Sequence, residues 1–171
     1  MTREVAAALK IELTKDILRS RSFYLLQTRI VAVIFSNQEI PKTYSVTISF
    51  DYLYVDMTPT GEPILIEVFL PRNKWITVEG LRIPKEYNTG RLFFNQDYNR
   101  DVEAKYLTNR KRDILCIQFS KDAYKSYRVA DTVIVDLDAE LNLSRIWIEK
   151  IVSDFLYVRE TVWKLKEAVR P

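Results

Sequence analysis

Asp136 and Asp138 stand two residues apart at the end of the alternating run VIVDLD, so on a strand their carboxylates leave the same face. Such a pair could share a proton or bind a divalent cation, and Asp at a strand end equally hydrogen-bonds its own backbone in a turn. Asp56 closes a similar run, LYVDM, but has Thr58 where a second carboxylate would be needed. A second candidate chemistry is electrostatic. Residues 71 to 112 hold 10 basic and 5 acidic side chains, whereas residues 1 to 70 hold 7 and 8, and residues 113 to 171 hold 9 and 10. The whole basic surplus therefore lies mid-chain, and Arg72, Lys74, Arg82, Lys85, Arg91, Arg100, Arg110, Lys111 and Arg112, the candidates among these ten, are interleaved with Trp75, Tyr87, Phe93, Phe94, Tyr98 and Tyr106. Basic residues among aromatics can neutralise phosphates and stack on unpaired bases. They can equally be a solvated fringe over rings that fill a core, and no RNP, KH or GxxG signature favours nucleic acid.

Other chemistry is excluded by what the chain lacks. There is no histidine, so no Ser-His-Asp or Cys-His apparatus and no histidine zinc site can be built. Only three glycines are present, Gly61, Gly80 and Gly90, at spacings that fit neither GxGxxG nor GxxxxGK[ST]. Cys116 is alone, inside the apolar run ILCIQF, and reads as a buried, inert thiol. Charges interrupt the first 30 residues throughout, and the longest apolar run, Ile30 to Phe35, is six residues, so neither a secretory signal nor a membrane span is expected. The expected setting is cytoplasmic, with no cofactor, no metal and no membrane partner.

The elements that must position these residues form a repeat. YLYVDMTPTGEPILIEVFL (Tyr52 to Leu70) aligns with TVIVDLDAELNLSRIWIEK (Thr132 to Lys150) at a constant offset of 80, and VAVIFS (Val31 to Ser36) aligns with LCIQFS (Leu115 to Ser120) at an offset of 84. A four-residue difference in one loop reconciles the two. Each copy predicts three alternating strands with a turn before the last. TPTGEP supplies Pro and Gly to the first turn, while DAELN must turn without glycine and should be the less ideal of the two.

The segment from Tyr106 to Lys150 resembles a small prokaryotic family, the domain of unknown function numbered 2283. The resemblance is carried by Tyr106, Asp113, Leu115, Ile117, Phe119, Val133, Ile134, Val135, Asp136, Asp138, Ile146 and Ile148. Leu141 departs from the family's turn glycine and Trp147 from its acidic residue; the first copy keeps Gly61 and the Ile66-Glu67-Val68 triplet. The resemblance implies a compact β-meander and no established activity. Some members accompany small toxin genes, which points toward protein binding.

The expected fold is therefore α+β: two similar antiparallel β-meander units (residues 23–71 and 106–152) with pseudo-two-fold symmetry, a basic aromatic insert (72–105) between them, and helices at both ends (1–22 and 153–171). A unit of this size buries too little surface alone, and its tandem copy supplies the second layer. The C-terminal helix rests on Phe155, Val158, Val162, Leu165 and Val169 on one stripe, with Ser153 as N-cap and Leu156 and Trp163 as a second apolar edge for a partner. The N-terminal helix rests on Val5, Leu9, Leu13 and Ile17, although LKIEL also alternates as a strand would. Lys74 to Ile83 reads as a hairpin about Glu79 and Gly80. The functional expectation is a non-catalytic protein that binds another protein or itself, with nucleic-acid binding through residues 72–112 as the alternative.

Overall fold

A computed structural model describes residues 9–35 and 46–154. These form fourteen strands: β1 (Leu9–Leu13), β2 (Ser20–Leu25), β3 (Ile30–Phe35), β4 (Val46–Phe50), β5 (Leu53–Met57), β6 (Pro63–Val68), β7 (Ile76–Thr77), β8 (Asn88–Phe94), β9 (Lys105–Thr108), β10 (Leu115–Gln118), β11 (Lys125–Ala130), β12 (Val133–Leu137), β13 (Leu143–Ile148) and β14 (Val152–Asp154). A single 3-10 turn, Arg72–Lys74, is the only helical element among the described residues. The six-stranded sheet runs β14-β2-β3-β6-β5-β4 and the eight-stranded sheet β1-β8-β11-β12-β13-β10-β9-β7.

The repeat is present down to single-residue register. In the first copy Val55 lies opposite Ile66, Leu53 opposite Val68, and Met57 opposite Pro63 after a bulge. In the second, Val135 lies opposite Ile146, Val133 opposite Ile148, and Leu137 opposite Leu143 after a bulge at the same place. Val31 to Ile34 meet β6 as Leu115 to Gln118 meet β13, which reproduces the offset of 84. Both copies therefore have the strand order β2-β3-β6-β5-β4, with β9-β10-β13-β12-β11 as its counterpart, so the expected meander is overturned: β3 and β10 pair with the last strand of their copy instead of the next one in sequence. Their inward residues, among them Val33, Leu53, Val55, Met57, Ile66, Ile117, Val133, Val135, Ile146 and Ile148, join in one core. Alternation follows from that arrangement, because each strand turns one face to the shared core.

The copies are tied by exchange. β7 follows the first copy yet pairs in parallel with β9 of the second, and β14 follows the second yet pairs in parallel with β2 of the first. Hairpin ends are exchanged in the same sense. The Tyr106 hydroxyl donates to Asp51 Oδ2 at 2.8 Å and accepts from the Tyr52 N–H, while Thr132, the counterpart of Tyr52, bonds Ser20 and Ser22 at 2.7 Å each. These parallel pairs make both sheets mixed instead of antiparallel.

The α+β expectation is overturned: no α-helix occurs among the described residues. Leu9–Leu13, placed in an N-terminal helix over 1–22, is an edge strand against β8, with Ile11 opposite Leu92. The first copy begins at Ser20, not at 23. Ser153 and Asp154, expected to start the C-terminal helix, instead complete β14 beside Tyr24 and Leu25. The rest of that segment, 155–171, lies outside the described residues. The expected hairpin over 74–83 keeps its turn, with Gly80 at φ +74° and a Leu81 N–H bond to Val78, but its strand pairs with β9 instead of folding back.

The two β-turns before the last strand of each copy close identically. Thr58 N bonds Glu62 O and Asp138 N bonds Asn142 O, both at 2.9 Å; Gly61 sits at φ +94° and Leu141 at φ +64°. A left-handed leucine costs about 1–2 kcal/mol, and its side chain is exposed. Leu141→Gly is expected to raise stability by about 1 kcal/mol despite the added unfolded-state freedom. Urea unfolding checks this, and a loss of stability would contradict it.

Candidate functional site

Asp136 and Asp138 do not come together. Asp136 is buried on the outer face of the eight-stranded sheet, where Oδ1 accepts from Ser126 Oγ at 2.6 Å and Oδ2 from Trp147 Nε1 at 2.9 Å, with Arg145 at 3.5 Å. Asp138 closes its own turn: Oδ1 accepts from the backbone N–H of Glu140 and Asn142 at 3.0 and 2.8 Å. Asp56 keeps only the first of Asp136's contacts, a hydroxyl donated by Thr47 at 2.5 Å. All of these oxygens are engaged in holding strands and turns.

The basic residues divide by position. Arg72, on the 3-10 turn, spreads over the Tyr24 ring at 4.2 Å, donates to Ser153 Oγ at 2.9 Å and reaches the Arg112 carbonyl at 3.5 Å. It clamps the junction where β14 joins the first copy, and burial lowers its pKa below the usual arginine value. This contact brings Arg72 and the exposed Lys74 to one corner with Arg110, Lys111 and Arg112 of the exposed β9–β10 turn. Arg91 is elsewhere, on β8, paired with Glu62 across the first copy's turn; that bond raises its pKa. Arg82 and Lys85 are exposed in the loop before β8, and Arg100 is half-buried in the loop after it.

The aromatics expected among them are mostly internal. Trp75, Phe94, Tyr98 and Tyr106 are buried, Tyr98 packing edge-on against Phe50 and Phe94. Burial pushes the Tyr98 phenol up, and burial together with Asp51 does the same at Tyr106. Four of the six rings thus offer no free face to a base. Phe93 is half-buried, and Tyr87 is exposed with Arg128 over its ring at 4.7 Å. Cys116 is buried, and its thiol is pushed up to about 12 by burial, far from a thiolate nucleophile. Leu156 and Trp163, expected as an interface edge, lie outside the described residues.

Tyr124, before β11, is exposed like Tyr87 and likewise has a cation over its ring, Lys125 at 5.5 Å, whereas a pair of exposed aromatics in contact with each other lies in the first copy, outside the candidate residues. Tyr52, Tyr54 and Phe69 are 47, 41 and 41% exposed, with Tyr54 and Phe69 edge to face at 4.9 Å and the Phe69 N–H bonded to Tyr52 O. The signal was available in the sequence: Tyr54 stands at the outward phase of LYVDM, where alternation calls for a polar residue. The corresponding positions of the second copy are Thr132, Ile134 and Glu149, all buried. There the outer face is covered by the chain itself, since Leu81 and Ile83 pack on Cys116, Ile134 and Trp147. The outer edge strand β11 is likewise covered, by β8 in parallel (Tyr127 with Asn88, Arg128 with Thr89), and β1 lies beyond β8. Its counterpart β4 ends the six-stranded sheet, with no strand beyond it among the described residues.

No helix among the described residues is long and apolar enough to cross a membrane. No protein-family model and no curated protein sequence matches this chain.

Proposed function

We propose that this protein is a non-catalytic interaction protein that binds another protein through the exposed aromatics of its first copy. The supporting observation is a local difference between two halves otherwise equal in register: Ile134 and Glu149 of the second copy are buried, with Leu81 and Ile83 packed on Ile134, while at the corresponding positions of the first copy Tyr54 and Phe69 stand exposed in contact, beside the buried Ala32, Ile34 and Leu65 of the same face. Clustered, partly exposed tyrosine and phenylalanine are costly to leave in water and are the residue types enriched at binding hot spots. The resemblance of residues 106–150 to the family numbered 2283, with its toxin-gene neighbours, agrees with this reading. Nucleic-acid binding is supported only by the basic corner at Arg72, Lys74 and Arg110–Arg112, without the stacking platforms that single strands require.

The test is a Tyr54→Ser, Phe69→Ser double variant. Both side chains are two-fifths exposed, so folding stability should change by no more than about 1 kcal/mol, while binding to a captured partner should weaken by about 2 kcal/mol per aromatic. Recovery of a partner by the parent chain and not by the variant supports the proposal. A chain that stays monomeric at micromolar concentration and captures nothing, or a variant that binds equally well, overturns it.

A further inference from the structure

We infer that the outer edge of β4, beyond which no strand lies among the described residues, accepts an extended segment of the partner protein as an added parallel strand, an inference that rests on the protein-binding reading above. The two-residue hairpin that opposes Phe50 to Leu53 directs the backbone groups of Val46, Ile48 and Phe50 toward β5 and those of Thr47 and Ser49 away from it. Among the described residues no backbone hydrogen bond outside the strand pairs reaches Thr47 or Ser49, and both are exposed. An edge of this kind is a template for another strand.

What the edge takes is shown by its counterpart. β5 pairs with β4 as β12 pairs with β11: Val55 opposes Ile48 and Val135 opposes Tyr127, while Thr47 bonds Asp56 as Ser126 bonds Asp136. At Tyr127 and Arg128, the counterparts of Ile48 and Ser49, the second copy holds β8 in parallel. β8 is an alternating strand whose Gly90, Leu92 and Phe94 are buried. The partner segment at β4 is accordingly an extended one, with small or apolar residues in the inward phase beside Ile48 and Phe50. Its outward residues flank Thr47 and Asp56, where a basic side chain meets the Asp56 carboxylate. A second copy of this chain would present β4 to β4 about a two-fold axis, which pairs the strands antiparallel, opposite to the arrangement at β11.

The probe is a blocked synthetic peptide with the sequence of residues 88–94, the strand that fits the counterpart edge, added to the isotope-labelled full chain. Saturable shifts of the Thr47 and Ser49 amides are expected. Binding should weaken about tenfold in Ser49→Pro, which removes an outward N–H while leaving the β4–β5 ladder intact. Two further peptides, N-methylated at alternate residues, test the geometry on the unaltered protein: one set should abolish binding and the other spare it, because every second residue faces the edge. No binding at millimolar peptide, or equal loss with both methylation patterns, overturns the inference. Slow hydrogen exchange at Thr47 and Ser49 before peptide is added, or a dimer that Ser49→Pro dissociates, overturns it as well by identifying another occupant. If the peptide fails while Tyr54→Ser, Phe69→Ser still abolishes partner binding, strand addition falls and the protein-binding reading stands.

Discussion

Gly61→Ala is expected to destabilise the protein by about 3–5 kcal/mol, the range reserved for substitutions that break a specific packing arrangement. A methyl group built on Gly61 would stand 2.0 Å from the Phe94 carbonyl oxygen, 3.0 Å from its carbon and 3.1 Å from its nitrogen. Every obstructing atom is backbone, so no side chain can rotate away, and the residue is already at φ +94°, where an L-residue is strained. Relief requires the turn and the end of β8 to part, which breaks the 2.8 Å bond from Phe94 N–H to Gly61 O and disturbs the neighbouring Arg91–Glu62 pair. Gly80→Ala provides the control. Gly80 is at φ +74° with nothing within 4 Å of its would-be methyl, so only the backbone cost of about 1–2 kcal/mol applies. Urea denaturation of both variants separates the two effects. Equal losses would show that close approach to β8 contributes nothing.

Asp136→Ala is expected to cost about 3 kcal/mol, against about 1 kcal/mol or less for the symmetry-related Asp56→Ala. The difference follows from what each carboxylate holds. Removing Asp136 strands the Trp147 indole N–H, whose side chain is buried, leaves the Ser126 hydroxyl without its acceptor, and takes the counter-charge from Arg145. Asp56 is half-buried and holds only Thr47, whose hydroxyl is exposed and can turn to water. Asp136→Asn should fall between the two, because an amide oxygen can still accept one of the two short bonds while the charge opposite Arg145 is gone. Equal stability of the Asp136→Ala and Asp56→Ala variants, measured at matched pH, would refute this account and reopen a chemical role for Asp136.

The sequence was most legible where a strand has one face in the core. Leu53, Val55 and Met57 alternate with Tyr54 and Asp56 because only the first set enters the shared interior, and the offsets of 80 and 84 reappear as identical cross-strand partners, bulge included. The turn without glycine was legible too, since DAELN has only Leu141 to place at the position Gly61 fills. The terminal helix reading failed at Leu9–Leu13 because Leu9 and Leu13 fit a helical stripe and a strand equally, and a long-range partner, β8, decided between them. Ser153 and Asp154 are sound helix-capping types, but the parallel edge of β2 took them into β14.

Basic and aromatic residues adjacent in sequence could share a surface or be a solvated fringe over a filled core, and alternation along β8 and β9 sends Phe94 and Tyr106 inward and leaves Arg91 and Lys105 outside. Tyr54 and Phe69, on neighbouring strands, meet only once β5 and β6 pair.

Local composition and periodicity thus determined, from the sequence alone, that two segments repeat one strand pattern, where the turn before each last strand falls, that histidine chemistry is absent, and that Cys116 is internal. The tertiary structure alone decided which strands cross between copies and which outward side chains are covered. β7 and β14 are two and three residues long, too short to carry any period, and exist only because each finds a parallel edge in the opposite copy. Once β8 and the loop carrying Leu81 and Ile83 had been spent on the second copy, the first kept Tyr54 and Phe69 exposed and, among the described residues, no strand beyond β4, an asymmetry that no reading of either copy by itself contains.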